Sequence, residues 1–140
     1  MTTTQISSPV STSERSSGLV RPGLAAAVAA ALITMLVAAV LKAIGADYEM
    51  PDGGESIPLT GFAITTFIFS VVGLGLAAAF RRWSRRPRTR FVQVAVSLTA
   101  VSLVPPFLTD ANAGTVAALV VLHLTAAATA IPLIARRLAD

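Results

Sequence analysis

Four long apolar stretches alternate along the chain with three short polar segments of contrasting charge. The first stretch begins after Arg21 and Pro22 and continues to about Ile44; the second runs from about Pro58 to Phe80. The third extends from about Phe91 to Leu108 and the fourth from about Gly114 to Ala135. A hydrocarbon core about 30 Å thick is crossed by about 20 apolar residues in helical form. Backbone amides inside lipid need partners within their own segment, so each stretch is expected to be a helix. The pattern predicts an all-α integral membrane four-helix bundle over residues 21–138.

The first stretch also has to be weighed as a secretory signal, because Ala43-Ile44-Gly45 follows an apolar core as a cleavage site would. Signal cores run about 7 to 15 residues, and Leu24 to Leu41 is eighteen without a charge, which favours an uncleaved span. Residues 1–18 are dominated by Ser and Thr and offer almost no large apolar surface to offset ordering entropy. They predict a disordered tail reaching to about residue 20, with Pro22 in the first helical turn. Near the far end of the third stretch, Pro105-Pro106 removes two backbone donors, so a kink or a helix end is expected there.

Composition sharpens this picture in two ways. Of 140 residues, 54% are apolar and 13% are charged, and the apolar ones are clustered into the spans. The absence of cysteine removes disulfides, thiolate metal sites and thiol nucleophiles together. The net charge of +4 would raise the question of nucleic acid in a soluble chain, but here the basic residues flank apolar spans, where anionic lipid headgroups are the nearer partner.

Charge also sets the expected orientation. Ten of the eleven basic residues (Arg15, Arg21, Arg81, Arg82, Arg85, Arg86, Arg88, Arg90, Arg136 and Arg137) fall on one side of a four-span arrangement, and only Lys42 falls opposite. The positive-inside rule then places the N- and C-termini in the cytoplasm. Asp47, Glu49, Asp52 and Glu55 define an acidic loop on the other side. Its spacing does not fit an EF-hand, because Pro51 stands at the fifth position, where a ligand is required. The six arginines between residues 81 and 90 suit anionic lipid headgroups or an acidic partner, and their topogenic role alone would also explain them.

Candidate chemistry is sparse. His123 is the one ionisable side chain deep within a span, and intramembrane ionisable groups are functional hypotheses by default. At 100° per residue it shares a stripe with Ala126, Ala127 and Ala130, which points it into the bundle. Thr34, Ser70 and either Thr99 or Ser102 lie near the middle of their own spans and are expected to meet it in one polar layer. That layer is either interhelical glue or a ligand-binding site, since a neutral imidazole both donates and accepts. Thr125 and Thr129 are expected to bond their own preceding carbonyls. Gln93 and Ser97 suit hydrogen bonding across helices. Pairs of small residues at four-residue spacing, Ala26 with Ala30, Ala27 with Ala31 and Gly73 with Ala77, are candidate packing faces. No phosphate loop, metal motif, nucleophile elbow or intraspan carboxylate pair is present, so no enzyme, metal or cofactor is expected.

Ser102-Leu103-Val104-Pro105-Pro106-Phe107 and His123-Leu124-Thr125-Ala126-Ala127 give the chain its most recognisable words. Over about Leu24 to Leu138 it resembles a family of small four-span actinobacterial membrane proteins of unknown function, which implies the architecture without an activity. Small multidrug exporters also have four spans but carry a glutamate in the first, where this chain has only Thr34 as a polar group. Two functions are therefore carried forward: a non-enzymatic structural or accessory protein packing against itself or a membrane-protein partner, and a small transporter or lipophilic-ligand binder using His123 and the midplane hydroxyls.

Overall fold

The computed structural model describes residues 13–49, 56–108 and 111–140, with the backbone alone over 13–17. The chain forms α1 (Ser13–Ala43), α2 (Leu59–Trp83), α3 (Pro87–Ser102), the short α4 (Val104–Leu108) and α5 (Ala113–Ala135). Four segments are long and apolar enough to cross a membrane: Gly18–Ala43, Leu59–Trp83, Pro87–Leu108 and Ala113–Ala135. At a rise of 1.5 Å per residue, the first of these extends about 39 Å. α1 continues back to Ser13, so Pro22 lies inside the helix and not in its first turn. The missing amide of Pro22 frees the carbonyl one turn earlier, at Gly18, which is exposed. Residues 1–12 of the expected tail lie outside the described residues. The break near Pro105-Pro106 comes at Leu103, which separates α3 from α4 while both stay within one span.

The helices form a ring: α1 packs on α2 and α5, and α3 packs on the same two. α2 and α5 also touch across the centre, whereas α1 and α3 do not meet. Lipid offers no hydrophobic drive for this association, so close approach depends on small side chains. α1 supplies them in two adjacent rows. Ala26, Ala30, Thr34 and Ala38 follow each other at four-residue spacing, with Ala27 and Ala31 beside them, and all six are buried. Gly23 extends this surface to a direct crossing with α2, where any Cβ would overlap the side chain of Leu74.

Large buried apolar side chains gather at the two ends of the bundle. At one end Leu19, Leu74, Ala77, Phe91, Ile134 and Leu138 pack together. This brings the start of the apolar part of α1 and the segment after α5 to the end that carries the arginines. At the opposite end Ala38, Ala118, Leu122 and Tyr48 form a second cluster. Between the two clusters lie the midplane residues. The α3–α4 span is the least embedded: only Pro87 and Phe91 at its basic end and Pro106 in α4 are buried.

Candidate functional site

The polar groups expected to meet in the middle of the bundle make no hydrogen bonds to one another among the described residues, Ser102 to the Thr99 carbonyl excepted. Thr34 and Ser70 are buried, and His123, Thr99 and Ser102 are half-buried. The His123 ring turns back onto its own helix, with Nδ1 2.8 Å from the Leu119 carbonyl. A carbonyl can only accept, so Nδ1 carries the hydrogen in that contact, and Nε2 of the neutral ring is left as an acceptor. Thr99 donates to the Ala95 carbonyl at 2.9 Å and Ser102 to the Thr99 carbonyl at 2.7 Å. Thr125 and Thr129 likewise donate to Val121 and Thr125. Back-bonding of this kind is the ordinary solution for a hydroxyl in a helix. Thr34 departs from it: its Oγ1 is buried among the alanines of α1 and has no hydrogen-bond partner.

The acidic end is closed by a clasp that the sequence did not reveal. Asn112 precedes α5 in extended conformation, and its side-chain oxygen accepts from the Thr115 amide at 2.8 Å, capping the helix. The same side chain donates through Nδ2 to Asp47, at 3.2 and 3.3 Å to the two carboxylate oxygens. The Thr115 hydroxyl adds a 2.8 Å bond to Oδ1 of Asp47. The hydroxyl of Thr115, then the amide of Asn112, hold the Asp47 carboxyl below its usual value of 3.8. A carboxylate at this position also faces the positive end of the α5 dipole.

Tyr48, the next residue, is wholly buried. Its hydroxyl donates to the Ala38 carbonyl at 2.9 Å, and its ring lies 4.8 Å from that of Phe62 at 58°. Burial pushes the hydroxyl above the usual 10.0. The backbone reaches this position at φ 55°, a left-handed conformation that costs a non-glycine residue about 1 to 2 kcal/mol. An isolated bridge between Glu49 and Ser56 holds the two sides of the loop together. Residues 50–55, including Asp52 and Glu55, lie outside the described residues.

At the basic end only residues 84–86 connect α2 to α3, so the arginines are crowded. Arg81 and Arg82 occupy the last turn of α2, where a cation suits the helix dipole. Arg85 and Arg86 lie in the connection, and Arg88 and Arg90 in the first turn of α3, where a cation opposes the dipole. Arg86 offers α3 no side-chain cap. Asp140 supplies one from more than fifty residues further along the chain. Its Oδ1 accepts from the amides of Arg88 and Thr89 at 2.8 and 3.2 Å, and its Oδ2 accepts from the Thr89 hydroxyl at 2.5 Å. The Thr89 hydroxyl is the largest influence holding the Asp140 carboxyl below 3.8, with the two amides and the Arg88 charge adding to it.

Nothing in the sequence singles out Tyr48, Thr115, Thr89 or Asp140, and Asp47 stands there only as one of four acidic loop residues. Asn112 just ahead of an apolar run was the one local sign, since asparagine is a strong N-cap.

Four membrane-length helices in a closed ring, fastened at both ends by carboxylates, define a small multi-pass membrane protein. The chain belongs to the Family of unknown function (DUF6069), whose model matches residues 14–140. Comparison with curated proteins and with solved structures yields no match.

Proposed function

We propose that this is a non-enzymatic membrane protein of structural or accessory type that acts by packing its helices against a second copy or a partner protein. It resides in a bacterial cytoplasmic membrane with both termini and the arginine connection in the cytoplasm, where the arginines lie against anionic headgroups.

The observation that carries this reading is the outward face of α3. Gln93, Ser97 and Ala100 are exposed at spacings of four and three residues, the interval of a helix–helix seam. Val96, Leu98 and Val101 are exposed around them. The face turned to the bundle is a different one, with Phe91 buried and Val92, Ala95, Thr99 and Ser102 half-buried. A glutamine amide carries two donors and an acceptor, and a serine hydroxyl carries one donor. Neither side chain has a hydrogen-bond partner among the described residues. Polar side chains on a membrane helix serve as glue between helices, and small residues beside them permit close approach.

The lack of native cysteine makes the test direct. Single cysteines at Ser97 and Ala100 are expected to cross-link, in native membranes, to a second copy or to one recurrent neighbour. A cysteine at Ala95, on the bundle side of the same helix, is expected to remain uncrosslinked. Absence of any defined adduct at both outward positions would refute the reading.

A further inference from the structure

A groove of about 290 Å³ lies between α1 and α5 at the basic end, lined by Pro22, Ala25, Ala26, Ala29, Leu133 and Arg137. We propose that it holds one acyl chain of an anionic phospholipid, with the phosphate seated on Arg137 and Arg21. This site is separate from the outward face of α3 and does not depend on it.

The lining argues for the chain: the α1 side of the groove carries only proline and alanine, and the α5 side a leucine. The groove exists because alanine occupies the positions on α1 where a branched side chain would fill the space against Leu133. Its walls are otherwise wholly apolar up to the arginine, which suits a hydrocarbon tail meeting a headgroup at the membrane surface.

Charge complementarity argues for the anionic head. Arg137 follows Leu133 by four residues, and Arg21 precedes Ala25 by four, with Ala29 four further on. Within α1 that spacing puts Arg21 on the face of Ala25 and Ala29, one turn outward, while Arg137, in the turn after α5, itself lines the groove on the other side. Both are exposed. Two guanidinium forks can grip a phosphate through several charge-assisted bonds, and the same two charges repel the choline cation of a zwitterionic headgroup. The carboxylate of Asp140, three residues beyond Arg137, is committed to the first turn of α3. An acyl chain gains little by leaving lipid for an apolar groove, so selectivity falls to the headgroup. The groove then supplies stoichiometry, one lipid in one place, which the open arginine connection at 81–90 does not.

Native mass spectrometry of the full chain in detergent, titrated with phosphatidylglycerol or phosphatidylcholine, tests this. One phosphatidylglycerol per chain is expected in the tightest class, with phosphatidylcholine weaker. Arg137→Gln is expected to weaken that class about fivefold, the effect of one basic residue near an anionic surface. Lys42→Gln, in the last turn of α1 at the opposite end of the bundle, is expected to leave it unchanged. Ala25→Phe, an exposed position on the wall, is expected to remove it while circular dichroism stays helical. Should that variant misfold, the Lys42→Gln and Arg137→Gln substitutions still decide the matter. Equal retention of both lipids, or equal weakening by Lys42→Gln and Arg137→Gln, would overturn the proposal.

Discussion

Replacing Tyr48 separates three contributions that meet at one residue of the acidic end. Tyr48→Phe keeps the ring against Phe62 and removes only the 2.9 Å bond to the Ala38 carbonyl. That carbonyl belongs to the interior of α1 and remains part of the helix, so no acceptor is stranded. The expected loss is that of one ordinary hydrogen bond, about 1 kcal/mol. Tyr48→Ala also removes a wholly buried ring, and a loss of about 4 kcal/mol is expected from truncation of a buried aromatic. Tyr48→Gly removes the same ring but relaxes the backbone at φ 55°, so it should be about 1 kcal/mol less damaging than alanine. Denaturant unfolding in micelles, followed by circular dichroism and compared at constant slope, measures all three. The order phenylalanine, glycine, alanine, from mildest to worst, is expected. Equal stability of the phenylalanine and alanine variants would show that the ring contributes nothing and refute the reasoning.

The same assay gives further predictions. Above pH 10.0 an unfolded tyrosine loses its proton while the buried Tyr48 keeps it, so stability should fall as pH rises past that value, and Tyr48→Phe should flatten this fall. Asp47 and Asp140 have the opposite sign. Their lowered values mean that the clasps stabilise above 3.8 and weaken as pH drops through the still lower folded values; Asp47→Asn and Asp140→Asn should blunt that acid response. Asp140→Ala should speed hydrogen exchange at the Arg88 and Thr89 amides, and unchanged protection there would contradict the capping geometry. Thr34→Val should be neutral or stabilising by up to about 1 kcal/mol, because the buried hydroxyl has no partner to lose. Destabilisation by a similar amount would instead show that the hydroxyl is bonded in the membrane, and would favour the ligand-binding alternative. Gly23→Leu should cost about 1 to 3 kcal/mol by forcing Leu74 out of the α1–α2 crossing.

The membrane architecture was legible because span length and small-residue spacing are local properties. Ala26 with Ala30 and Ala27 with Ala31 stand out as candidate packing faces from spacing alone, and all four are buried. α5 was harder to orient. Periodicity placed His123 on an alanine stripe facing inward, whereas the fully buried row is Thr115, Ala118 and Leu122, leaving His123 and its alanines half-buried at the edge. Alanine fits either a packed face or a lipid face, so it does not decide a helix's rotation. Thr115 does, through a carboxylate sixty-eight residues away, and no periodicity carries that information. Tyr48 was obscured by its surroundings, an acidic segment with Pro51, Gly53 and Gly54 that had every mark of a solvated loop. The Asp140 cap had no local sign at all, since the helix it serves begins among arginines.

The two clasps also bear on the order of assembly. Asp47 waits for a threonine sixty-eight positions later, and the amides of Arg88 and Thr89 wait for a carboxylate more than fifty positions later. At about 5 to 20 residues per second of synthesis, Asp47 emerges roughly 3 to 14 s before Thr115 exists. Both latches depend on α5 or the residues just after it, so neither can close around a partially made chain. Until then the first three spans have only hydropathy and their own packing against one another to hold them, and α5, on arrival, fastens both ends of the bundle. A chain inserted in the wrong register or orientation would find neither latch, which makes the final helix the point at which a correct arrangement is distinguished from a faulty one.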